Sequence, residues 1–180
     1  MGDKPSYLGL LNAIAVAEAD AEGYLNAWAE VTPDDDVRQV LRTVALREGE
    51  HGKAFAKRIC ELGFDVVPRQ DDKVEARLKV AASTEFTDAE KFAELGLGQP
   101  VEGDDIFAGM FADQSIDIQT GALLGRYVAE ERDSARLLRS CCATVTARQA
   151  PGNGQPSELD EVRDRLDRIE QLLEKVARKK

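Results

Sequence analysis

Residues 37–62, VRQVLRTVALREGEHGKAFAKRICEL, are the stretch from which the rest of the chain is read. Stepping about 100° per residue gathers Val37, Leu41, Val44, Glu48, His51, Phe55, Ile59 and Leu62 on one side of a helix. The stripe is apolar except at Glu48 and His51, which are three residues apart and therefore neighbours on that face. His51 is the only histidine in the 180 residues. A carboxylate and an imidazole inside an apolar stripe are strongly disfavoured unless a partner charge, a hydrogen-bond network or a metal ion compensates them.

Upstream, Thr32, Pro33 and Asp34 form a turn with a helix N-cap and an acidic first turn. A helix over 6–31 precedes it, with Leu8, Leu11, Ile14, Ala15 and Leu25 on one face. Glu18 and Glu22 sit within about 40° of each other at the middle of that apolar stripe. Glu18 and Glu48 each lie some 14 residues from the turn, so an antiparallel hairpin brings them to one height. Downstream, Gly63 and Pro68 stop the second helix. A third helical region over 71–97 is interrupted by Thr87-Asp-Ala-Glu90, a capping box. Residues 96–103 read as a loop, with a short helical turn over 105–111. A long helix over 115–145 carries the stripe Leu123, Tyr127, Leu137, Leu138 and Cys141. No alternating strand pattern appears. The expected fold is all-α, an antiparallel four-helix bundle with one longer connection.

In these residues the chain resembles the ferritin-like superfamily, nearest to its rubrerythrin-type members. The resemblance rests on Glu18 together with Arg47-Glu-Gly-Glu-His-Gly-Lys-Ala-Phe55, where Glu48 and His51 match that family's Glu-x-x-His. It implies a terminal carboxylate at Glu18, a bridging carboxylate at Glu48 and a nitrogen ligand at His51. In the second half, Ala129-Glu-Glu-Arg-Asp-Ser-Ala-Arg-Leu-Leu138 is similar to the family's fourth-helix segment, with Glu131 at the carboxylate position. Ser134 stands where the family has its second histidine. Glu85 on the third helix, in line with Val74, Leu78, Ala81 and Phe92, or Glu22 on the first, would complete the set. Mixed carboxylate and imidazole ligands suit iron, manganese or zinc; iron, as a di-iron pair, is what the resemblance implies. The activity it implies is oxidation of Fe(II) by dioxygen or peroxide. With no Cys-x-x-C module in the chain, peroxide reduction would need an external electron donor. The competing reading is a degenerate structural or adaptor bundle, its polar core neutralised by Arg47, Arg126, Lys53 or Arg132.

The sequence 150–156, Ala-Pro-Gly-Asn-Gly-Gln-Pro, reads as a flexible linker by composition. Beyond it Leu159, Val162, Leu166, Ile169, Leu173 and Val176 repeat at alternating intervals of three and four. Leucine at a with β-branched residues at d tilts a parallel coiled coil toward trimers or tetramers. The expected organisation is therefore a bundle over 1–148, a linker over 149–156 and a coiled-coil oligomerisation helix over 157–180. A small closed homo-oligomer suits such a tail better than a many-subunit storage shell.

Composition narrows the classes. A net charge of −10 opposes nucleic-acid binding, which needs a basic surface. No apolar run approaches the roughly 20 residues of a membrane span. The N-terminus lacks the basic start and apolar stretch of a secretory leader, so a cytoplasmic location is expected. Cys60, Cys141 and Cys142 form no metal or disulfide motif, and buried free thiols are expected.

Overall fold

The computed structural model describes residues 4–69, 72–99, 109 and 113–149. Among these the chain is all-α, with no strand and five α-helices: α1 (Leu8–Val31), α2 (Asp35–Glu61), α3 (Asp72–Ala82), α4 (Asp88–Glu94) and α5 (Ile118–Gln149). The chain separates into two units, Met1–Gln149 and Ala150–Lys180. The heptad tail and the short turn expected over 105–111 fall outside the described residues, Gly109 excepted.

The hairpin between α1 and α2 forms because Asp34 caps the second helix, accepting from the backbone amides of Asp36 and Val37. The two helices run antiparallel and close together. Gly52 lies against the backbone of Ala15 and Ala19, and Gly49 against the Glu22 side chain. A Cβ at Gly52 would stand 3.3 Å from the Ala15 carbonyl oxygen and the Ala19 nitrogen. α5 is antiparallel to α2 and pinned at both ends. Arg58, late in α2, donates to Asp117 Oδ1 at 2.9 Å and to Thr120 Oγ1 at 2.9 Å. Arg148, at the far end of α5, donates to the α2 cap residue Asp34 at 2.7 Å. At the α5 N-terminus Tyr7 also donates to Asp117, at 2.8 Å.

The third helical region is two short helices, not one. Thr87 and Glu90 make the full capping box, which starts α4 afresh after a bend over 84–86. α4 is fastened to the hairpin through Asp88, which accepts from Trp28 Nε1 at 2.6 Å and Thr32 Oγ1 at 2.7 Å. Lys91 is buried there and donates to the Ala81 carbonyl at 2.9 Å.

Two apolar clusters fill the interior. One gathers Leu25, Trp28, Leu41, Phe92 and Leu138 at the hairpin-turn end. The other gathers Leu11, Ile14, Phe55, Ile59 and Leu124 at the opposite end. Val37, Leu41, Val44, Glu48, His51, Phe55 and Ile59 are buried on α2 as its periodicity assigns them, while Leu62, just past the helix end, is half-buried and Ala45 is buried in addition. On α5 Tyr127 and Leu138 of the expected stripe are buried, with Ser134 between them, while Leu123, Leu137 and Cys141 are only half-buried and Leu124 and Val128 are buried instead. The thiols also depart from expectation, with Cys60 exposed and Cys141 and Cys142 half-buried. Among the described residues no helix is long and apolar enough to cross a membrane.

Candidate metal centre

Between the two apolar clusters lies a polar layer. α1 contributes Glu18, one helical turn beyond the buried Ala15. α2 contributes Glu48 and His51 from the middle of its inward stripe. α5 contributes Glu131, one turn beyond Tyr127 on the stripe that continues to Ser134 and Leu138. Glu18, Glu48 and His51 are 6%, 5% and 5% exposed. One ligand atom from each of Glu18, Glu48, His51 and Glu131 lies within 4.8 Å of all the others.

The imidazole is the hub. His51 Nε2 is 2.7 Å from Glu130 Oε2, and Nδ1 faces Glu131 Oε1 at 3.3 Å, Glu48 Oε2 at 3.8 Å and Glu18 Oε2 at 3.9 Å. Glu130 is held in turn by Arg126 Nε at 3.0 Å. With Nε2–H donating to Glu130, Nδ1 is the ring nitrogen turned toward the other carboxylate oxygens, and it offers them a lone pair only once the imidazolium has lost its second proton. Three buried atoms there lack a hydrogen-bond partner: His51 Nδ1, Glu18 Oε2 and Glu131 Oε1. Buried polar atoms are nearly always paired, because an unpaired one costs its desolvation. One nitrogen and two oxygens, unpaired and converging on one space, are an arrangement that a cation coordinated between them would satisfy. The donor set therefore fits a metal ion.

Titration behaviour agrees with a shortage of positive charge. Burial pushes the Glu48 carboxyl up to about 9; its contact with His51 opposes this, while Glu18 and Glu131 reinforce it. Burial alone would lower the His51 imidazolium, yet Glu131, Glu18, Glu48 and Glu130 together raise it to about 12. Glu18 goes the other way. Burial raises it, but contacts with His51, Glu48 and the Tyr127 hydroxyl hold it below the usual carboxylate range. Burial and the Glu18 and Glu131 charges keep the Tyr127 phenol protonated, so it donates to Glu18 Oε1 at 2.8 Å.

Four of the six residues singled out by sequence thus meet, and two do not. Glu85 lies exposed in the bend between α3 and α4, because the capping box at Thr87 ends the continuity that would have turned it inward. Glu22 overshoots the layer: its side chain covers Gly49 and pairs with Lys53 at 3.4 Å. Two contributors were undervalued by sequence reasoning. Glu130 sits on the flank of the α5 stripe, and its carboxylate meets His51 Nε2 at 2.7 Å. Tyr127 reads equally well as core packing. Of the cations considered as internal neutralisers, Arg47 donates to Asp133 at 2.8 Å and to Ser134 at 3.3 Å. Arg126 reaches the outer Glu130 at 3.0 Å and Glu50 at 3.6 Å, and Lys53 pairs with Glu22.

No family profile, curated protein or solved structure matches the chain.

Proposed function

We propose that the chain is a metal-dependent oxidoreductase of ferritin-like type, with Glu18, Glu48, His51 and Glu131 holding iron. The observation that carries this reading is the set of three buried, unpartnered atoms, Glu18 Oε2, His51 Nδ1 and Glu131 Oε1, converging in the polar layer. Manganese and zinc accept the same donors. Only one histidine is available, so a second ion would be held by oxygen atoms alone.

Iron bound there would supply electron exchange with dioxygen or peroxide. The chain's own residues prepare the place for it. Glu130 fixes the ring of His51 through Nε2 and leaves Nδ1 free to ligate, the usual role of a carboxylate behind a ligating imidazole. Tyr127 orients Glu18 by donating to one oxygen, leaving the other for the ion. Glu48 and His51 carry protons that leave as the ion arrives. The apolar clusters flank the layer on both sides. The supply of electrons for peroxide reduction would come from a separate donor. The heptad tail supports assembly into a trimer or tetramer.

Elemental analysis of the purified protein should find about one to two metal ions per chain. Aerobic addition of Fe(II) should produce a carboxylate–ferric absorbance that Glu48→Ala and His51→Ala each remove. Unchanged absorbance in both variants rules out the site.

A second reading, a metal-free structural or adaptor bundle, is favoured by one observation. Ser134 takes the place of a second histidine, and Arg47 stands against it. Under that reading His51 is a buried imidazolium neutralising the carboxylates, and no metal is found on analysis.

A further inference from the structure

A cavity of about 470 Å³ opens onto the carboxylate layer, with Glu18, Glu48, Glu131 and Ser134 among its lining. α1 gives it a wall of small side chains, including Ala13, Ala17 and Ala21, and Leu97 and Leu138 add apolar surface. Three arginines from separate elements complete it: Arg69 after α2, Arg77 in α3 and Arg139 in α5. Asp20 is the one acidic lining residue outside the cluster. Arg69 and Arg139 make no hydrogen bond or ion pair among the described residues. Tyr24, also in the lining, senses both ends of the space. Burial pushes its phenol up to about 12, the Glu48 charge adds to this, and Arg77 opposes it.

Three guanidinium groups on one cavity run against a net charge of −10. The guanidinium groups attract an anion, and they stand in the same lining as the carboxylates of Glu18, Glu48, Glu131 and Asp20, so the lining is mixed in charge. Guanidinium forks match a carboxylate in bidentate fashion. The volume is in the range of small-molecule sites, which combine an apolar lining with a few placed polar groups. A bare inorganic anion would leave the alanine wall in contact with water.

We infer that this cavity binds a small organic carboxylate, its head held by Arg77 and Arg139 and its apolar body lying along Ala17 and Ala21 above the cluster. As the substrate class of the metal site this rests on the proposed function; the carboxylate binding itself needs no metal.

Octanoate titrated calorimetrically into the full-length protein tests it, with metal content measured on the same sample. One octanoate should bind per chain. Arg77→Gln and Arg139→Gln should each weaken binding tenfold or more, with metal content unchanged. Ala21→Phe, which fills the apolar part without altering charge, should abolish it. 1-Octanol should bind at least tenfold more weakly than octanoate, and millimolar inorganic phosphate should not displace octanoate. The inference is overturned if octanoate shows no saturable binding, if octanol binds as tightly, if phosphate displaces octanoate, or if the arginine variants bind like the parent. A sample that holds metal but ignores octanoate overturns the carboxylate site alone. One that binds octanoate but no metal supports that site and overturns the metal reading.

Discussion

His51 is where the charge balance of the protein is settled. Its two nitrogens face different surroundings, Glu130 on one side and the Glu18, Glu48 and Glu131 group on the other. In the metal-free protein the layer therefore retains protons. Glu48 is raised to about 9, so between its unfolded value near 4.5 and about 9 the folded state holds a proton that the unfolded chain has lost. His51, raised to about 12, acts in the same direction above about 6.5. Stability contributed by both groups is present at low pH and drains away as pH rises. The melting temperature of metal-free protein should accordingly fall between pH 6 and 9, and Glu48→Gln should flatten that slope in a calorimetric series. Bound metal replaces those protons, so metal affinity should rise over the same pH range. Glu130→Gln keeps the side-chain shape but removes the charge behind the imidazole. It should weaken metal binding about 10- to 100-fold by competitive chelator titration; an unchanged affinity would show that the ring needs no such support.

At the scale of helices, the spacing of α1 and α2 decides whether Glu18 can meet Glu48 and His51. That spacing is set at Gly52, whose missing Cβ lets the α1 backbone come close. Gly52→Val would drive a branched side chain into backbone on both helices, and a loss of about 2 kcal/mol or more is expected in denaturant unfolding. Gly49 differs, because a Cβ there would meet only the flexible end of Glu22. Gly49→Ala should be neutral or stabilising by up to about 1 kcal/mol through helix propensity. Equal costs at both positions would mean that helix contact does not set the spacing. Gly98 is another close approach, with φ of +72°, where an added Cβ would stand 3.0 Å from the Leu138 carbonyl oxygen and 3.2 Å from Cys142 Sγ. Any side chain there is strained and collides with α5, so the loop bordering the arginine-lined cavity depends on that glycine.

Within Met1–Gln149 the arrangement is a polar layer between two apolar clusters, tied at both ends by ionic contacts between α2 and α5. The clusters carry the hydrophobic stabilisation, which frees the layer between them to hold groups that no core would otherwise tolerate. Assembly through the heptad repeat of residues 157–180 is a prediction at this scale. A chain ending at Arg148 should sediment at the mass of a single copy, while the full chain sediments as three or four. An unchanged mass on truncation would remove the coiled coil as the assembling element.

Much of this was legible in residues 6–62. A 3.6-residue period states which side of a helix is apolar, and a charge in the middle of that side is visible without coordinates. Equal chain lengths on either side of the Thr32–Asp34 turn then fix which residues of a hairpin share a height. The capping box at Thr87 was equally plain, though its consequence for Glu85 depended on whether the helix resumed in line. What sequence could not supply was rotation and tilt. The inward face of α5 keeps Tyr127, Ser134 and Leu138 but takes Leu124 and Val128 in place of Leu123 and Leu137, and Arg58 and Arg148 fasten its ends to α2. Packing against α2 places Glu131 beside His51 Nδ1 and Glu130 beside Nε2. Likewise, nothing in their positions along the chain shows that Arg69, Arg77 and Arg139 share one cavity. Periodicity is a local property of a chain, whereas the angle at which two helices meet is fixed by contacts between residues far apart in it.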